Sequence, residues 1–165
     1  LACFFSGKLC PSGIFPRFGL LAFGIIVGLT PYLTLLYPPW VRNHHGAPMP
    51  KRWRVLSIAG APQRALRVAD DTLELSVVRG HMFGDPTSQL FRAPSRPFRP
   101  GDRTALPGLE ITVLEVEGWA PKRVRYRFSS SLDDPNRVFL LMEFGRMRRG
   151  FMPKLGEEFM VMPAG

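Results

Sequence analysis

No acidic residue occurs in the first 42 positions of this chain, and no cysteine occurs after position 10. All 13 Asp and Glu, and all but two of the 22 Lys and Arg, come from Arg42 onward. Lys8 and Arg17 are therefore the only charges in the leading part. Two compositions are joined end to end, an apolar leader and a basic, polar domain large enough to bury a core of its own. The missing cysteines exclude a disulfide framework or thiolate zinc site from that domain. Cys3 and Cys10 supply only half of the four ligands that structural zinc takes.

Several chemical signatures are missing too. No glycine-rich phosphate loop and no His-Glu-x-x-His helix occurs, which removes the sequence case for a P-loop nucleotide site or a zinc protease. Ser129-Ser130-Ser131 lacks the Gly-x-Ser-x-Gly frame of a nucleophile elbow. Nothing after Trp53 keeps a helical period over a full window, and no internal repeat is present. No cofactor or metal is implied.

What the leader does have is one long apolar run, Phe18 to Val41, with no charge inside it. As a helix rising about 1.5 Å per residue it exceeds the roughly 30 Å of a bilayer's hydrocarbon core. Phe15, Phe18, Tyr37 and Trp40 flank it and Arg17 and Arg42 close it, the chemistry of two headgroup interfaces. Pro38-Pro39 supplies a stop. A cleaved signal would be shorter and would end in small residues, not Tyr-Pro-Pro-Trp. The expectation is a transmembrane helix over 17–42 and a membrane location, with 1–16 as a leader or the end of an upstream region. Gly24 and Gly28 form a G-x-x-x-G notch suited to a second transmembrane helix, and Pro31 would kink the span. Arg42, Lys51, Arg52 and Arg54 outnumber Lys8 and Arg17 and favour an inside domain; a signal-anchor entry favours the reverse. Both orientations stay open.

Residues 43–52 read as a linker of Gly, Pro and polar side chains. From there, strands are expected at 53–59, 72–78, 109–117, 122–129, 137–144 and 158–162, separated by turn clusters such as Asp70-Asp71 and Asp133-Asp134-Pro135. The fold class is all-β: an antiparallel β-sandwich or small barrel-like domain over 53–165, preceded by one transmembrane α-helix. A short helical turn is expected near Thr87–Phe91. Stretch 92–108, stiffened by Pro94, Pro97, Pro100 and Pro107, reads as an extended crossover. One hairpin is expected in register. With a loop at 118–122, Glu117 faces Arg123, Glu115 faces Arg125 and Val113 faces Arg127. Val116, Leu114 and Thr112 then meet Val124, Tyr126 and Phe128 on the core side.

Arginine is the chemical excess. Arg123, Arg125 and Arg127 share a strand face, and Arg146, Arg148 and Arg149 crowd one short stretch. Together they form a candidate patch for anionic lipid headgroups. The plainer reading is a solvated face neutralised in part by Glu115 and Glu117. Nucleic acid is disfavoured, because the interleaved Tyr126 and Phe128 fall on the expected core face. His44-His45 with His81 is weaker as a metal set than as solvated residues, and the paired aspartates suit turns better than acid–base catalysis.

The run "LFRAPSRPFRPGDRTALPGLEITVLEV" with "RVRYRF" and "LDDPN" resembles C-terminal β-rich regions of multi-pass bacterial membrane proteins. That resemblance carries no motif of known activity and implies none. The functional expectation is a membrane-tethered β-domain, an interaction or structural module whose partners are the bilayer and neighbouring transmembrane helices. The alternatives are a hydrolase-like enzyme completed by upstream sequence, with Asp85, His81 and Asp102 as the residues to watch, or a headgroup-binding domain.

Overall fold

A computed structural model describes residues 23–27, 40–47, 49–83, 94–143 and 146–162, with the backbone alone at 23–27, 142–143 and 146–147. These residues are mostly antiparallel β-sheet, with helix limited to one turn at 40–44, as the all-β reading expected. The strands are β1 (Phe23–Val27), β2 (Trp53–Ser57), β3 (Gln63–Ala69), β4 (Thr72–Val77), β5 (Arg103–Leu106), β6 (Leu109–Glu117), β7 (Ala120–Phe128), β8 (Arg137–Glu143), β9 (Arg146–Arg149) and β10 (Glu158–Val161). They form a six-stranded sheet ordered β10-β3-β4-β7-β6-β5 and a four-stranded sheet ordered β2-β1-β8-β9.

One apolar core serves both sheets. Leu73, Leu75 and Val77 of β4, and Val124, Tyr126 and Phe128 of β7, meet Leu56 of β2 and Phe139 and Leu141 of β8. Alternation on β4 and β7 is what makes this possible, since every second side chain points the same way. The Tyr126 hydroxyl donates to the Leu56 carbonyl at 2.6 Å, so the one polar atom this ring brings inside is satisfied across the two sheets. Burial pushes the Tyr126 phenol well above the usual tyrosine range. Phe128 and Phe139 meet edge to face at 5.9 Å, and the Arg137 guanidinium lies over the Phe128 ring at 4.4 Å.

The six expected strands are all present. Four others are not among them, and each has a physical reason. On β3 the buried face is Gln63, Ala65 and Arg67 while Leu66 and Val68 face outward, so the hydrophobic alternation is inverted. Gln63 spends an amide N–H on the Ala59 carbonyl, and Arg67 finds carboxylates, which is what lets polar groups lie there. β5 lies inside the proline-rich stretch, where Pro107 and the positive-φ Gly108 turn it directly onto β6. That corrects the extended-crossover reading of 92–108 at its C-terminal end. β9 is a four-residue strand with three arginines, a composition with no strand signal of its own.

The β6–β7 hairpin is antiparallel as expected, but its register differs. Its loop is Gly118-Trp119, with Gly118 at φ 66°, and Glu117 lies opposite Ala120. The loop is three residues shorter than expected, which shifts every pairing, and the two irregularities beside Glu115 offset each other, Leu114 being extra on β6 and Lys122 on β7. Between them Glu115 faces Arg123 on the wet side; before them Val113 faces Val124 and Ile111 faces Tyr126 on the core side, and beyond them Val116 faces Pro121. The expected pairings of Glu115 with Arg125 and Val113 with Arg127 are therefore corrected. A loop shortened by an odd number of residues exchanges the faces of one strand against the other, so the register follows from the turn at Gly118-Trp119.

β1 concerns the apolar run. Five residues of the span expected over 17–42, Phe23–Val27, are strand, hydrogen-bonded in parallel to β2 on one side and β8 on the other. A strand between two parallel neighbours is written as a continuous Val/Ile-rich run, the same pattern that suits a lipid-facing helix. Gly24 sits in register with Trp53 and Val138 rather than on a described helix face. Gly28, Pro31 and the rest of the run up to 39 lie outside the described residues, as do Cys3, Cys10 and the turn expected near Thr87–Phe91. Among the described residues no helix is long and apolar enough to cross a membrane.

Candidate functional site

The outer face of the six-stranded sheet carries the arginines of β7, and its rows can be read strand by strand. Arg125 lies between Glu74 of β4 and Thr112 of β6; Arg123 between Ser76 and Glu115; Arg127 between Thr72 and Glu110. Arg125 Nε and Nη2 both donate to Glu74 Oε1, at 2.9 and 2.7 Å. Arg123 pairs with Glu115 at 2.7 Å and approaches Glu74 at 3.9 Å. Arg127 reaches Asp71 at 3.4 Å. The plainer reading of this face is the one the geometry matches, with Glu74 and Asp71 added to Glu115, while Glu117 turns to Lys122.

Glu74 was not anticipated. It sits between Leu73 and Leu75, and its side chain is only 7% exposed because arginines of the next strand lie over it. An acidic residue in the middle of an apolar strand was the available signal. Val68, at the irregularity in β3, with Ala69, Asp71, Thr72, Arg125 and Arg127 lines an open depression of about 420 Å³ on this face. Its two guanidiniums are already engaged, Arg125 with Glu74 and Arg127 with Asp71.

The other half of the expected patch is elsewhere. Arg146, Arg148 and Arg149 are on β9, the edge of the four-stranded sheet, with Arg148 opposite Leu141 and Arg149 opposite Leu140. The fold thus splits the six arginines between two sheets. Two of the cations counted for membrane orientation also bind the fold: Arg52 and Arg54 both donate to the Pro107 carbonyl, at 2.9 and 3.0 Å.

The paired aspartates act in turns. Arg67, 6% exposed at its side chain, holds Asp70 at 2.6 Å and Asp133 at 2.8 Å, joining the β3–β4 turn to the loop before β8. Asp71 accepts from the Thr72 hydroxyl and from Arg127, and both hold its carboxyl below the usual carboxylate range. Asp133 is held low by the Arg67 hydrogen bond. Asp134 is held low chiefly by the backbone N–H of Asn136, then by the Ser130 hydroxyl. Ser130 also meets Arg137, whose guanidinium donates to the Ser130 and Ser131 carbonyls at 2.8 Å each. Asp102 accepts from the Arg99 N–H, and His81 lies edge-on to Trp119 at 5.4 Å; Asp85 is outside the described residues. No group of three metal-ligating side chains occurs among the described residues.

No protein-family model matches this chain, and comparison with curated proteins and with solved structures finds no similar one.

Proposed function

We propose that the chain is a non-enzymatic module at a bilayer, with its sheets packed as a β-sandwich and acting as an interaction or structural part of an integral membrane protein. The observation that carries the non-enzymatic half is the use made of Asp70, Asp71, Asp133 and Asp134. Each carboxylate is spent on a turn or an arginine that holds loops together, which leaves none oriented as an acid–base pair. The bilayer half is supported by the apolar run and its aromatic and cationic flanks.

Bilayer and sheet compete for the same five residues, since Phe23–Val27 cannot lie in a transmembrane helix and in β1 together. Alkaline carbonate extraction of membranes from cells making the full chain separates the two uses. Retention in the pellet is the expected result. Release into the supernatant, with Phe23–Val27 amides protected from hydrogen exchange there, assigns the run to the sheet and ends the tether reading.

A further inference from the structure

The loop between β9 and β10 holds two apolar side chains in water. Phe151 is 86% exposed and Leu155 is 66% exposed. Between them Met152 turns inward and packs against the core. The backbone around them is tied down on several sides. The Gly150 N–H donates to the Phe139 carbonyl at 2.9 Å and the Gly156 N–H to the Arg67 carbonyl at 2.8 Å. The Pro153 carbonyl receives the Arg67 guanidinium at 3.5 Å. A turn closes the loop, with the Glu157 N–H bonded to the Lys154 carbonyl and the Lys154 N–H to the Glu157 carboxylate. An anchored loop of this kind cannot fold Phe151 and Leu155 back onto the core without breaking those bonds.

Cations outnumber carboxylates by one on the segment that carries the two side chains. Arg148, Arg149 and Lys154 are exposed on this segment, against the carboxylates of Glu157 and Glu158, and Glu157 already serves the turn. Apolar side chains projecting from a fixed backbone beside exposed cations match the interface of an anionic bilayer. The rings and aliphatic groups enter the acyl boundary while the ammonium and guanidinium groups stay among lipid phosphates. Neutral protein partners would gain nothing from the cations.

We infer that the 150–156 loop is a lipid-interface contact, with Phe151 and Leu155 entering the bilayer and Arg148, Arg149 and Lys154 meeting anionic headgroups. It extends the bilayer reading above but does not need the apolar run to be a span. The test uses the full chain with Cys3 and Cys10 replaced by Ser and one nitroxide label at Leu155→Cys, or at Ser95→Cys as an exposed control. Each is measured with phosphatidylserine-containing and with pure phosphatidylcholine vesicles. With phosphatidylserine, the label at 155 is expected to become more accessible to oxygen than to a water-soluble nickel relaxant, and the label at 95 is not. Adding Phe151→Ser, or replacing Arg148 and Arg149 by Gln, is expected to raise the lipid needed for this change at least tenfold, and higher salt should act in the same direction.

A label at 155 that stays equally accessible to the nickel relaxant with and without vesicles overturns the inference. Spin–spin broadening without vesicles also overturns it and assigns the loop to a second copy of the chain. Retention in carbonate pellets with a wet label leaves the tether standing and removes the loop contact. Release by carbonate with a lipid-exposed label does the reverse.

Discussion

Arg125 and Glu74 show how little a single charged residue says before its surroundings are known. The carboxylate is buried under guanidiniums that are themselves about half exposed, at 47% for Arg125 and 41% for Arg123. Losing the arginine strands a desolvated carboxylate, whereas losing the carboxylate leaves cations that water can reach. Arg125→Ala is therefore expected to cost roughly 2 kcal/mol or more, and Glu74→Gln about half as much. Urea denaturation of the two variants checks the order, and equal losses would mean that Glu74 is solvated in the folded state. Arg67 belongs to the same scale. Its guanidinium joins the β3–β4 turn, the loop before β8 and the Pro153 carbonyl, so a residue that reads as surface charge is a clamp of the core's rim.

At the scale of elements, the β6–β7 hairpin was legible as a hairpin and illegible in register. Its core-side residues on β7, namely Val124, Tyr126 and Phe128, are buried as alternation requires, and Arg125 and Arg127 face out. On β6 the expected faces fail from Leu109 to Val113, because the two-residue loop shifts the register by three, and nothing local marks Leu114 and Lys122 as extra residues. The tight loop depends on Gly118 at φ 66°, where no neighbour would obstruct a side chain and only backbone conformation is at stake. Gly118→Ala is expected to lower stability by about 1 kcal/mol with an unchanged far-ultraviolet spectrum. By contrast Leu75→Ala, at a position with 0% exposure, should cost about 2–5 kcal/mol. A thermal melt of the two variants side by side gives the comparison, and a smaller loss for Leu75→Ala than for Gly118→Ala would contradict the shared core. β3 was missed for a different reason. Its burial alternates but with polar residues inside, where Gln63 bonds the nearby Ala59 carbonyl and Arg67 pairs with Asp70 and with the distant Asp133.

For the whole molecule, stability should depend on acid through the turn aspartates. Asp71, Asp133 and Asp134 all titrate below the usual carboxylate range when folded, through the hydroxyl, guanidinium and N–H groups that bond them. Such groups contribute fully above the ordinary value of about 3.9 and lose their contribution as pH falls through the lower, folded values. The stability of Asp133→Asn relative to the parent should therefore be lowest near neutral pH, and the gap should shrink below about pH 4. Denaturation midpoints across that range check it, and a gap independent of pH would show that Asp133 contributes no charge.

Local order was written into the chain itself. Strand periods, turn aspartates, the Pro-Gly corner and the outward face of β7 all depend on neighbours a few residues away, and those neighbours do not change with the fold. Pairing partners, the bulge, the burial of Glu74 and Arg67, and the division of the arginines between two sheets were decided only in three dimensions. The apolar run shows where local pattern stops. Its composition requires that the backbone be shielded from water and bonded, and either a helix in lipid or a place between two parallel strands would satisfy it. For Phe23–Val27 the choice rests on β2 and β8, whose free edges lie far along the chain and are invisible to any local pattern.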